Sequence, residues 1–161
     1  MVYMPPAFRV DDLPLLLDHI ARTGLATFIT AGADGPIVSH VPLVHEPSDD
    51  GMGRLIGHLA RANPQWQSTD LSKPALAVFM GPDAYVSPSW YPSKAEHGKV
   101  VPTWNYLAVH AYGPVEFFED ADRLLGVVTR LTNLHEGSRA QPWAVTDAPE
   151  AFIRAQLKGI V

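Results

Sequence analysis

A chain of 161 residues, 47% of them hydrophobic and 18% charged, has the size and apolar content of one packed domain and not of a disordered segment. Its formal net charge of −5 and isoelectric point of about 5.7 repel a polyphosphate backbone, which disfavours direct DNA binding. The absence of cysteine excludes disulfides and thiolate metal sites; with no secretory pattern at the start and no run of roughly 18 apolar residues, a soluble cytoplasmic protein without a membrane span is expected.

The first predicted element is a helix. Asp11 and Asp12 are capping residues, Pro14 falls in the first turn, Leu13, Leu16, Leu17 and Ile20 recur at helical spacing, and Gly24 supplies a stop. Leu25 to Ala31 and Pro36 to His45 are rich in strand formers around Gly32-Ala-Asp34-Gly35, which predicts a hairpin; Glu46 to Gly53 reads as a loop. Further strands are predicted over Arg54 to Leu59, Pro74 to Met80, Ala84 to Ser87 and Thr103 to Phe118, the last bent at Gly113-Pro114. A short helix starts near Asn63-Pro64. Asp120 to His135 carries Leu124, Leu125, Val128 and Leu131 at helical spacing, and Glu150 to Lys158 predicts a last helix.

Pro82 to Pro102 is rich in proline and aromatics, too apolar for a linker and too broken for an element, so it reads as a binding or interface loop. No glycine fingerprint follows a strand, and strands do not alternate regularly with helices, which disfavours a doubly wound dinucleotide fold. One mainly β domain spanning residues 1–161, an antiparallel barrel with helices packed outside, is the expected architecture.

Two groups of residues carry chemistry. Asn63 can cap the helix that Pro64 begins, Arg61 lies just upstream with a planar donor fork, and His58 adds a third donor; together they resemble a seat for a phosphate. The plainer reading is a helix start beside a solvated charge. Trp90, Tyr91, Trp104, Tyr106 and Tyr112 offer flat faces with polar handles, suited to a planar heterocycle, to core packing or to a subunit contact. By alternation Trp104 and Tyr106 share one strand face and Asn105 points opposite. A phosphate grip beside aromatic faces fits the shape of flavin mononucleotide (FMN).

Other chemistries find less support. The seven histidines include no metal-binding pattern, since His40 and His45 would face opposite sides of one strand and His58 and His110 stand on different elements. Ser87, Ser89 and Ser93 lie outside any nucleophile elbow and read as turn serines. No catalytic acid, base or nucleophile is assigned.

Tyr3-Met-Pro5-Pro6-Ala-Phe8, Ser39-His40-Val-Pro42, His58-Leu-Ala-Arg61-Ala-Asn63-Pro64, Tyr85-Val-Ser-Pro-Ser-Trp90-Tyr91, Val101-Pro102-Thr103-Trp104-Asn105-Tyr106 and Val109-His110-Ala-Tyr112-Gly113 resemble, in order, the PaiB family of FMN-binding negative transcriptional regulators. The resemblance implies an FMN-binding split β-barrel of the pyridoxamine-phosphate-oxidase type, a homodimer with FMN between subunits. By position, His58, Arg61 and Asn63 would take the phosphate end, and Thr103, Trp104 and Asn105 with Trp90 and Tyr91 would line the ring or the partner subunit. Family members usually continue past Lys158-Gly159-Ile160-Val161 into a further strand and a polar, basic tail. The functions implied are a flavin-dependent oxidoreductase acting on a small molecule, or a non-enzymatic regulator or sensor built on the same dimer; a scaffold that has lost the flavin is a third reading.

Overall fold

A computed structural model describes residues 3–49 and 51–161; the start at Met1-Val2, and Asp50 within the predicted Glu46 to Gly53 loop, lie outside the described residues. The first helix, α1 (Leu13–Thr23), is capped by Asp12, whose carboxylate accepts from the Leu15 N–H at 3.2 Å. Gly24 ends it at φ 66°, a conformation that suits glycine, and donates to the Ile20 carbonyl at 2.9 Å. Ile20 is buried with Ala26, Ala77, Phe79 and Val109 in the main core, and Leu16 and Leu17 pack against them.

The predicted hairpin is present as β1 (Leu25–Gly32) and β2 (Gly35–Pro42), closed around Ala33-Asp34. The second strand is shorter than expected. It stops at Pro42, which has no N–H to continue a ladder, and Val44–Glu46 forms a separate strand, β3, paired with β4 (Arg54–Ile56). His40 and His45 therefore stand on different strands. His40 Nδ1 lies 3.3 Å from Thr27 Oγ1, and His45 Nε2 donates to the Met52 carbonyl at 3.0 Å.

Two expected strands merge into one. β5 runs from Ala75 to Val86 along β6 (Thr103–Gly113), with a register shift between Met80 and Asp83 where Gly81-Pro82 falls. Proline tolerates that place because a bulge needs no ladder N–H. Gly81 marks a close approach: a Cβ there would meet His19 Cε1 at 2.7 Å and Leu107 Cβ at 3.1 Å, so a larger residue would have to displace the His19 ring. β6 ends at Gly113, so the expected extension to Phe118 is not strand.

The remaining helices are α2 (Gln65–Ser68), α3 (Ser93–His97), α4 (Ala121–Glu136) and α5 (Glu150–Leu157). α3, with a 3-10 turn over Pro88–Trp90, lies inside the segment read as too broken for an element; five residues are too few for periodicity to register. On α4 the buried stripe is Leu124, Val127 and Leu131, while Leu125 and Val128 flank it half-buried.

Strand order is β2-β1-β5-β6 in a four-stranded sheet, antiparallel throughout, with β3-β4 as a second sheet. The sequence suggests an antiparallel barrel with helices outside; the antiparallel strands and the flanking helices are present, with the strands arranged in these two sheets. Register gives the large sheet two unlike faces. Val41 with Ala26, and Phe79 with Val109, point into the core; the rows His40-Thr27-Val78-His110 and Val38-Ile29-Leu76-Tyr112 occupy the other face. No helix among the described residues is long and apolar enough to cross a membrane.

Candidate cofactor site

The Arg61 segment is built by a local turn and by a distant clamp. Asn63 is not the cap its position suggests: Pro64 is the N-cap of α2, and Asn63, one place earlier, closes a turn with its Oδ1 accepting from the Gln65 N–H at 2.9 Å, while its Nδ2 donates to Ser39 Oγ at 2.9 Å. Both ends of the amide are engaged, which makes Asn63 a residue that shapes the turn. Helix α2 is one turn long, so its dipole adds little for an anion.

Gln65 anchors this turn to the hairpin. It is fully buried, and its Nε2 points at the Phe28 carbonyl, Thr30 Oγ1 and the Ile37 carbonyl at 3.5, 3.1 and 3.2 Å. On the other side, Leu59 and Ala60 pair with Val161 and Ile160, and Arg61 donates its N–H to the Gly159 carbonyl at 2.8 Å. The Arg61 carbonyl accepts from Trp66 Nε1 at 3.0 Å. The Arg61 side chain is 40% exposed, and its guanidinium is ion-paired with Glu119.

Burial holds the His58 imidazole below its ordinary pKa, favouring the neutral ring, and its Nδ1 is shut off from solvent without a partner among the described residues. Only Nε2 remains for a ligand, and a neutral ring is a weaker phosphate donor than a cation.

The aromatic residues lie elsewhere. Trp104 and Tyr106 share the open face of β6, 60% and 62% exposed, opposite Tyr85 and Asp83 of β5; Trp104 stands edge-on to Tyr85 with centroids 6.0 Å apart. Thr103 and Asn105 pair with Val86 and Ala84, Asn105 on the reverse face. Trp90 and Tyr91 are exposed beside an open concavity of about 500 Å³, where Lys94 Nζ donates to Ser89 Oγ at 3.0 Å.

A single chain does not bring the two groups together. Ser39, the partner of Asn63, is in register with Phe28, Ala77 and then Ala111, while Trp104 lies seven positions from Ala111 along β6. Three strand spacings and that run amount to about 25 Å. The residues fit FMN in kind, a cation for the phosphate and flat faces for the ring, yet they stand at opposite ends of one sheet. A second cavity, of about 450 Å³ between α1 and the β5-β6 bulge, contains none of them.

Ser39, Trp66, Gly159 and Glu119 all shape the Arg61 segment and were not singled out by their chemistry in the sequence. Trp66 lies five positions from Arg61 and carries a local signal; Glu119, 58 positions away, carries none. Among the described residues no group of three or more histidines and carboxylates is placed to hold a metal ion.

Residues 2–161 match the family described as "Putative FMN-binding domain", and the chain belongs to that family, whose named cofactor is FMN. Among curated relatives, "Protease synthase and sporulation protein PAI 2" of Bacillus subtilis is 33% identical over 160 residues, 99% of this chain and 74% of its own length, which places the chain with the PaiB proteins. The uncharacterized protein YKL070W of Saccharomyces cerevisiae is 38% identical over 119 residues, covering 73% of this chain and 70% of its own. The crystal structure of a "putative 5-nitroimidazole antibiotic resistance protein" from Bacteroides thetaiotaomicron superposes with a TM-score of 0.60 at 12% identity, covering 94% of this chain and 76% of that one. That last likeness concerns the fold alone.

Proposed function

We propose that the protein is a homodimeric split-barrel flavoprotein that binds FMN where two copies meet, the Arg61 segment of one copy taking the phosphate and the aromatic β5-β6 end of the other facing the ring. The observation that carries this is the separation just described, together with the open sheet face. Val38, Met80, Tyr85, Trp104, Tyr106 and Tyr112 are 48% to 62% exposed along it, an apolar area of the kind that marks an association surface. Pairing two copies covers that face and offers one chain's aromatics to the other's cation.

Within such a site Arg61 supplies the charge, Asn63 and Gln65 hold its loop in shape, and Trp90, Tyr91 and Trp104 exclude water from a planar ring. Thr103 and Asn105, on the face of β6 opposite to Trp104, hold the strand entry and do not meet the ring, and His58 has Nε2 to offer the phosphate end. Bound FMN supplies hydride or electron transfer, and the protein orients it and tunes its electronics. A redox role toward a small substrate is preferred to direct operator contact, because the net charge of −5 opposes DNA. The regulatory reading draws on the sporulation-protein name of the Bacillus relative and is met through the dimer as a sensor.

The test is a flavin titration. Arg61→Ala is expected to weaken FMN and leave riboflavin, which has no phosphate, almost unchanged; equal loss for both removes Arg61 from the phosphate end. NAD(P)H oxidation by the FMN-loaded protein then separates enzyme from sensor.

A further inference from the structure

Arg61 is fixed everywhere except at its charged end. Its N–H is on Gly159, its carbonyl on Trp66 Nε1, and the two residues before it pair with Val161 and Ile160. The guanidinium Nη1 meets Glu119 Oε1 in a contact whose side chains are 40% and 49% exposed. Glu119 lies in the segment between β6 and α4, directly before Asp120, which caps α4 by accepting from the Arg123 N–H at 2.8 Å. The nearby cation Arg123 is already committed, donating to Glu116 at 2.8 Å and stacked 3.8 Å over the Phe118 ring. Among the described residues the ion pairs join Glu119 to Arg61 alone.

We propose that Glu119 is an internal competitor for the Arg61 fork, occupying it until a phosphate displaces the carboxylate. This rests on the reading of Arg61 as the phosphate-end residue. Carboxylate and phosphate oxygens accept from the same guanidinium N–H groups, so both cannot hold Nη1 fully at once. The dianionic phosphate prevails through its greater charge, and Glu119, half exposed, turns to solvent at little cost. The device sets a charge threshold: a flavin without phosphate gives Arg61 no reason to let go of Glu119. It also keeps the cation from being left unpaired against the loop when the site is vacant.

Exposed ion pairs are weak, so removing the competitor is expected to tighten FMN by about two- to five-fold. The experiment is titration of FMN and riboflavin by flavin fluorescence against the full chain and the variants Glu119→Gln, Arg61→Ala and the double variant, with thermal unfolding of each. Tighter FMN in Glu119→Gln, unchanged riboflavin, and no gain when Arg61 is also removed are the expected results. Should Glu119→Gln unfold, Glu119→Asp, which keeps the charge on a shorter stem, is expected to give an intermediate gain in FMN affinity. If Arg61→Ala weakens FMN selectively while the Glu119 variants bind FMN no better than the parent, the competitor role is overturned and the phosphate-end reading stands. If Arg61→Ala weakens both flavins alike, both fall.

Discussion

Leu59 and Val161 exchange backbone hydrogen bonds in both directions, at 2.8 and 3.0 Å, with both side chains buried against Val41. That pairing seats the loop carrying Arg61 on the core. Leu59→Ala is expected to cost about 2–5 kcal/mol, the range for emptying a buried leucine site. Urea unfolding checks it: the midpoint falls with the slope unchanged.

Gln65 joins the same loop to the β1-β2 hairpin through buried hydrogen bonds. Gln65→Ala takes the amide donor from the Ile37 carbonyl and leaves Thr30 Oγ1 with Thr69 Oγ1 alone, at 2.8 Å, and is expected to lower stability by about 1–3 kcal/mol. A loss much smaller than this, measured in the same way, would show that water replaces the amide.

His58 gives the stability curve a definite sign. Its folded pKa lies below the ordinary 6.5 because burial penalises the charged ring. Above the unfolded value both states are neutral and the contribution is complete. As pH falls through it the unfolded chain takes the proton first, and stability declines until the folded ring is protonated as well. His58→Gln is therefore expected to lose less stability than the parent between about pH 7 and pH 5, the slopes differing by less than about 1.4 kcal/mol per pH unit. Parallel curves from denaturant titrations at several pH values would contradict this.

The open sheet face predicts an association state. Tyr106→Lys replaces a 62% exposed aromatic on that face and is expected to leave monomer stability within about 0.5 kcal/mol while shifting sedimentation toward a single chain. An unchanged sedimentation profile would move the interface elsewhere.

Local chemistry was legible in the sequence and distant pairing was not. Asp12 and Gly24 bound α1, and Asn63 bonds the first residue of α2 from one place before its cap, because those signals act within a few residues. Trp104 and Tyr106 share a face, as alternation requires. The division of the second strand at Pro42 and the fusion of two strands across Gly81-Pro82 depend on partner strands, which propensity does not contain. Val127, and not Val128, is buried on α4 because the fold decides which side of the helical stripe faces inward. The Arg61-Glu119 pair spans 58 positions and leaves no periodic trace.

The irregularity at Gly81-Pro82 decides more than the path of one strand. Between the Met80-Ala108 and Asp83-Tyr106 pairs, β5 spends one residue more than β6. A single added residue would invert the odd-even rule for everything downstream; absorbed in a bulge, it leaves Tyr85 beside Trp104 instead of on the reverse side. Deleting Gly81 would leave Met80 and Asp83 two steps apart, matching Ala108 and Tyr106, so Tyr85 would keep its place beside Trp104 while the kink was ironed out; the extra residue thus sets the bend of the strand's outer arm, and the bulge that absorbs it preserves which way the arm's ring looks.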